Sequence, residues 1–308
     1  MNNSSQKVVF FHVDVDSPDV LARFWALSEN SNSTDCFYEK GMKRAIDLFR
    51  EFEAPATFFC VGSEIEKRSS ARFAVLQAHQ AGHEIANHSY SHSFLAHQLS
   101  NEALRREIQL CSEIIKSVIG HCPVGFRAPG YAIGSRLMHL LRELSFKYDS
   151  SAFWTPAASI MKMYHRIRSN VSFPGSYGEV GFAVPRLPYF PSKENWKRQG
   201  EERGLLEIPL PRSPFFVTPF YNNFHLTAPN FYRVLDVEFS RNRYLVYLFH
   251  LIEFCDLNDG IASGLKIHPN LKTSVATKID RMRDTIQRLK KKYRVIRTDN
   301  FAKNFPNQ

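Results

Sequence analysis

Short apolar runs alternate with amphipathic helical segments along the first half of this 308-residue chain, and that order restricts the fold more than any single residue does. Val8 to Val15 is a continuous apolar run broken only by His12, with Asp14 and Asp16 at its C-terminal end, and reads as a buried strand. Residues 41–52 carry helical spacing (Met42, Ala45, Ile46, Leu48, Phe49), and Ala56 to Gly62 reads as a second strand. Phe73 to Ala81 is helical and stops at Gly82, a natural C-cap, before the short strand Glu84–Ala86. Ser100 and Ala103 open a long helix with Leu104, Ile108, Cys111, Ile115 and Val118 on one face, closed by Gly120. Strand Gly125–Arg127, helix Ser135–Leu144 and a strand from Lys147 to Asp149 follow. Repeated β-α units predict a parallel sheet or barrel, not a sandwich, and the strand ends are where such barrels assemble active sites.

The pattern lapses between about 155 and 204, where Pro, Gly, Ser and aromatic residues surround the basic patch Lys162–Arg168. This stretch reads as a long irregular insertion over the site within a single domain. Order resumes at Leu205–Pro209 and Tyr244–His250. A helix then places Ile279, Met282, Ile286 and Leu289 on one face, before a last strand, Tyr293–Ile296.

The net charge of +10 favours anionic partners, either a phosphorylated substrate or a membrane surface. Nucleic-acid binding has only charge behind it and no motif, so it is not expected. Residues 1–7 are polar and run straight into the first strand without the features of a secretory signal, and the longest apolar stretch is too short to span a bilayer. Five irregularly spaced cysteines fit reduced thiols better than a disulfide framework. The expectation is a soluble cytoplasmic protein, with peripheral contact at the inner membrane face as an option.

Asn87-His88-Ser89-Tyr90-Ser91-His92 holds two histidines four residues apart. On a helical turn they would converge on one side and share an ion with an upstream carboxylate. Two imidazoles and one carboxylate leave coordination positions open for water and substrate, as hydrolytic sites require.

In order, His12-Val13-Asp14-Val15-Asp16, Ala56-Thr57-Phe58-Phe59, Gly82 to His92, Gly125-Phe126-Arg127-Ala128-Pro129-Gly130-Tyr131, Tyr148-Asp149-Ser150-Ser151 and Leu248-Phe249-His250 resemble the motifs of the polysaccharide deacetylase (NodB-like) superfamily of metal-dependent carbohydrate esterases. The resemblance implies an α/β fold, a distorted (β/α) barrel. It implies removal of an N-acyl group, usually acetyl, from an amino sugar.

Residue by residue, the resemblance places a divalent metal on Asp16, His88 and His92; zinc suits this set, with cobalt, nickel or manganese as substitutes. Asp14 matches the general base and Arg127 the arginine that holds it. His250 matches the general acid and Asp149 the carboxylate that orients it. An oxyanion donor is expected after Pro129, at the Gly130 N–H, and Tyr131 and Trp154 are candidates for substrate contact. Gly130 departs from the aromatic residue common at that point in the family, and Leu251 from a proline. The rival acid His268 lacks a preceding apolar strand, and His83 reads as structural. Glu253 and Asp256 are loop contacts or substrate ligands.

The expected substrate is an N-acylated sugar, in a cytoplasmic precursor linked to phosphate or polyprenyl phosphate. Two enzyme alternatives keep the site: a deformylase of a lipid-linked amino sugar, and an allantoinase-like amidohydrolase. A non-catalytic glycan- or lipid-binding module on the same barrel is the alternative from another class.

Overall fold

A computed structural model of the chain describes residues 6–24, 35–94, 96–153, 184–201, 203–211, 221–227, 242–261, 265 and 268–305. The basic patch Lys162–Arg168 lies outside the described residues.

Eight strands form one parallel sheet: β1 (Val8–Val15), β2 (Ala56–Cys60), β3 (Glu84–Asn87), β4 (Gly125–Phe126), β5 (Tyr148–Asp149), β6 (Leu206–Glu207), β7 (Tyr244–His250) and β8 (Arg294–Val295). Their order is β6-β5-β4-β3-β2-β1-β7, and β8 pairs with Val8 and Val9 of β1, ahead of the stretch that pairs with β2. The sheet curls into an open (β/α) barrel with helices outside, as the alternation predicts. Among the described residues no pairing joins β6 to β7.

β1 pairs with three strands, β2, β7 and β8, and its two faces explain its sequence. Val9, Phe11, Val13 and Val15 belong to the cluster packed under the outer helices, with Phe49, Phe58, Tyr247 and Phe249. Val8 and Phe10 belong to the cluster lining the inner side, with Phe59, Tyr148, Val246 and Leu248. A strand covered on both faces has no solvent side to mark with polar residues, hence the apolar run. By the same two-residue alternation His12 and Asp14 fall on the inner face, and both are buried.

The long helix spans Asn101–Ile119, with Ser100 Oγ accepting from Ala103 N–H at 3.1 Å and Gly120 closing it at φ 85°. That left-handed conformation suits glycine. Gly125 is needed for a different reason: a Cβ there would lie 2.1 Å from the Tyr148 ring. Several boundaries depart from the sequence reading. The helix expected at 41–52 begins as a π-helical turn, Phe37–Met42, and the one expected from Phe73 starts at Ser69, preceded by a short helix at Gly62–Lys67. Helices Pro18–Phe24, Asn222–Thr227 and Thr298–Asn304 carry no clear periodicity; they are two turns or less, below the window in which a helical repeat can register. The described end of the insertion packs on the sheet: Tyr189 bridges Glu207 antiparallel, and Trp196 is buried in the cluster with Met138 and Leu141.

Candidate active site

Most of the polar residues of the site stand at or just beyond the carboxyl end of a strand. Asp14 and Asp16 end β1, His88 follows β3, Arg127 follows β4, Asp149 ends β5, Glu207 ends β6 and His250 ends β7. Register brings them level: Asp14 is the direct pairing partner of His250 across β1 and β7, and Asp149 that of Glu207 across β5 and β6.

Asp16, His88 and His92 form a cluster whose potential ligand atoms lie within 4.8 Å of one another. Asp16 Oδ1 is 3.3 Å from His88 Nε2 and 3.1 Å from His92 Nε2. The histidines do not sit on a helical turn. They bracket a loop in which Ser89 (φ 62°) and His92 (φ 52°) adopt left-handed backbone. Such residues persist only where their surroundings hold them, at a cost of about 1–3 kcal/mol each. Asn87 supplies that hold: its Oδ1 accepts from Ser89 N–H at 2.8 Å, and its Nδ2 donates to Ile108 O and Ser112 Oγ. Glu107 on the long helix accepts from both Ser91 N–H and Ser91 Oγ.

The donor set fits a divalent cation on an observation of its own. His88 Nδ1 is 2.8 Å from the Arg127 carbonyl, which only accepts, so this nitrogen carries the proton and Nε2 keeps its lone pair toward Asp16. Asp16 Oδ1 is buried and accepts no hydrogen bond, the state of an oxygen awaiting a cation.

Arg127, fully buried, donates through Nη1 to Asp14 Oδ1 at 2.6 Å, through Nε to Ser150 O at 2.8 Å, and stacks 4.1 Å above the Phe59 ring. Asp14 is thus gripped from one side while its Oδ2 faces His250 Nε2 at 4.0 Å. The His250 ring, 23% exposed, is the more open of the two.

The carboxylate beside the far nitrogen of His250 is Glu253, at 3.7 Å from Nδ1, and not Asp149. Glu253 is three residues on, within a 3-10 turn that returns its side chain to the ring, and Asn222 Nδ2 donates to its other oxygen at 2.7 Å. Burial works against a charge on His250, but Glu253 and Asp14 together push its pKa up to about 9. Asp149 instead accepts from Ser151 Oγ at 2.6 Å and meets Glu207. Burial raises both carboxyls, Glu207 most, and one oxygen of each accepts no hydrogen bond. A proton retained by Glu207, the more strongly raised of the two, would let this neighbouring pair share a hydrogen bond. Ser151 Oγ in turn accepts from Ala128 N–H at 2.8 Å, so this acid pair braces the loop carrying Pro129 and Gly130.

In that loop Gly130 (φ 57°) and Tyr131 (φ 58°) are both left-handed. Tyr131 N–H donates to Ala128 O at 3.0 Å, which leaves Gly130 N–H as the oxyanion candidate. The Tyr131 ring lies 5.3 Å from Phe153, and Phe153 stacks on Tyr221 at 5.8 Å, forming an aromatic wall that reaches His250. Tyr221 had no signal in the sequence; Trp154 lies outside the described residues. His268 is pushed down to about 4 by burial and by the charge on His250, which unfits it as a proton donor near neutrality. His83 accepts from Ala56 N–H at 3.1 Å, and Asp256 caps Asn258 and Val275.

An open parallel barrel with a His-His-Asp cluster and an Arg-held aspartate at its carboxyl edge defines a class of barrel proteins with a site built on strand ends. Comparison with known proteins narrows that class. Residues 32–148 match the family described as polysaccharide deacetylase. A peptidoglycan deacetylase from Helicobacter pylori is 30% identical over 199 residues, 63% of this chain and 57% of that protein. The chain spans about half the length of the curated relatives it matches. Among solved structures, a candidate polysaccharide deacetylase from Mycobacterium smegmatis superposes with a TM-score of 0.63 at 19% identity, covering 100% of this chain and 93% of its own. The Puue allantoinase gives the same TM-score at 14% identity and the same coverage. At such identities the two structures speak to the fold alone.

Proposed function

We propose that the chain is a metal-dependent hydrolase that removes an N-acyl group, acetyl in the leading case, from an amino sugar of a glycan. The observation that carries this reading is the convergence of Asp14, Asp16, His88, His92, Arg127 and His250 on one edge of the sheet. Asp16, His88 and His92 would hold the cation, with zinc favoured by two imidazoles and one carboxylate. When bound, it supplies Lewis acidity toward the amide carbonyl and lowers the pKa of water.

The remaining work belongs to the side chains. Asp14 accepts the proton of the attacking water, and the Arg127 guanidinium keeps its second oxygen aimed into the cleft. An amine leaves only when protonated, and His250, charged through neutral pH, donates that proton at the nitrogen. The Gly130 N–H stabilises the developing oxyanion. Tyr131, Phe153 and Tyr221 form a wall against which an acyl methyl or a sugar face can pack. The curated relative named a peptidoglycan deacetylase supports an acetylated aminoglycan over an allantoin-like amide.

Purified protein incubated with N-acetylated chito-oligosaccharides and muropeptides is expected to release acetate. Chelation should lower the rate at least about a thousandfold, with recovery on adding zinc or cobalt. Formate released from an N-formylated sugar would move the assignment to a deformylase, and turnover of allantoin to the ureide branch. Rates unaffected by chelation would remove the metal.

The net charge of +10 supports a phosphate-bearing or polyprenyl-linked substrate at an anionic membrane face. No helix among the described residues is long and apolar enough to cross a membrane. Sedimentation with anionic vesicles at low salt, lost at about 0.5 M salt, is expected on that reading; equal recovery with neutral vesicles would sink it.

A further inference from the structure

The inner face of β1 carries a polar residue that the proposed reaction does not use. His12 is fully buried, two residues before Asp14 on the same face, in a run that is otherwise apolar. An imidazole in that setting must be hydrogen-bonded at both nitrogens or it costs the fold stability. Its Nδ1 is 2.6 Å from Arg127 Nη2, and its Nε2 is 2.9 Å from Thr298 Oγ1.

The protons along this chain can be assigned from chemistry alone. A guanidinium only donates, so His12 Nδ1 must be the acceptor and Nε2 must carry the hydrogen. Thr298 Oγ1 therefore accepts from His12. Its own hydrogen points to Thr57 Oγ1 at 2.8 Å, and Thr57 donates to Glu84 Oε2 at 2.8 Å. Tyr148 O–H and the Asp299 N–H also donate to Glu84, whose pKa burial and the Asp299 charge push up to about 7, so its carboxyl is the acceptor at the end of the spine when ionised. Every donor points away from the active site, and Arg127 forbids the reverse order. Burial and the Arg127 charge both hold the His12 imidazole well below its ordinary value, which keeps it neutral.

The Arg127 end is equally constrained. Both Nη2 hydrogens are committed, one to His12 and one to Ser150 Oγ at 3.0 Å, while Nη1 holds Asp14. Without His12 the guanidinium keeps its grip on Ser150, just after β5, but among the described residues loses its only hydrogen bond to β1 apart from that to Asp14 itself. We infer that His12 is a positioning residue: anchored by the Thr298–Thr57–Glu84 spine, it fixes the Arg127 guanidinium and through it the Asp14 carboxylate. This rests on the hydrolytic reading of the Asp14 site.

The test compares three variants of the full chain under saturating metal. His12→Phe keeps the ring volume and removes both contacts. It is expected to lower kcat about 10- to 100-fold, with KM within twofold and metal content unchanged. His12→Asn retains an acceptor at the Nδ1 position and should recover most of that loss. Thr298→Val, nearly isosteric, removes only the anchor and should give a smaller fall of the same kind. It serves as the test should His12→Phe not fold.

A readout independent of turnover is the nitrogen NMR spectrum of His12. It should show the Nε2–H tautomer without titration from pH 5 to 8. Full kcat in His12→Phe, His12→Asn as slow as His12→Phe, full kcat in Thr298→Val, or a titrating His12 would each overturn the inference. A wild-type protein that lacks activity but keeps the Nε2–H signature would instead strike at the proposed reaction.

Discussion

At the scale of single residues, the division of labour between two carboxylates decides how the site titrates. Glu253 holds His250 charged, whereas Asp149 is engaged with Glu207 and Ser151. A proton donor works only while protonated, so turnover should persist through neutral pH and fall as pH rises through about 9. The same ion pair contributes stability that is fully present below the ordinary imidazole range and is lost through that upper value. Glu253→Gln should move the alkaline fall of kcat toward neutrality by a unit or more, read from a pH–rate profile; an unmoved fall would exclude Glu253 as the partner. The sequence held the clue, an acid three residues after the histidine, but without a structure nothing distinguished it from Asp256, which proves to be a helix cap. The ligand-type residues were legible because their spacing is chemical. Glu207 and Tyr221 were not, because they reach the site from segments with no motif around them.

Elements differ in how far their sequence announces them. β1 and β7 are long and buried on both faces, so their apolar runs stand out, and the Asn101–Ile119 helix is marked by its cap at each end. β4, β5, β6 and β8 have two residues each and exist because neighbouring strands supply their hydrogen bonds. No local pattern can encode that. Where a short strand does leave a mark, it is steric. Gly125 lies under the Tyr148 ring, which reaches past it to Glu84 at 2.8 Å. Gly125→Ala should cost about 1–3 kcal/mol by overpacking in urea denaturation, and more if Tyr148 loses Glu84. A stability equal to wild type would mean that the β4–β5 pair slides freely.

Across the whole molecule, the last described helix closes what the first strand opens. Phe301 packs on Phe10 at 4.9 Å and on Tyr244 at 5.2 Å, while Thr298 on the same helix touches His12 and Thr57. Phe301→Ala should therefore cost about 3–5 kcal/mol and lower hydrogen-exchange protection in β1 as well as in the helix itself. Protection changes confined to residues 298–305 would deny the coupling. The direct pairing of Asp14 with His250 has a further consequence. Because the proposed proton acceptor and proton donor are rungs of one ladder, the interval between their backbones is set by peptide geometry common to all parallel sheets. Insertions and trimmed loops around the rim can then alter what the cleft admits while the spacing of these two side chains stays constant.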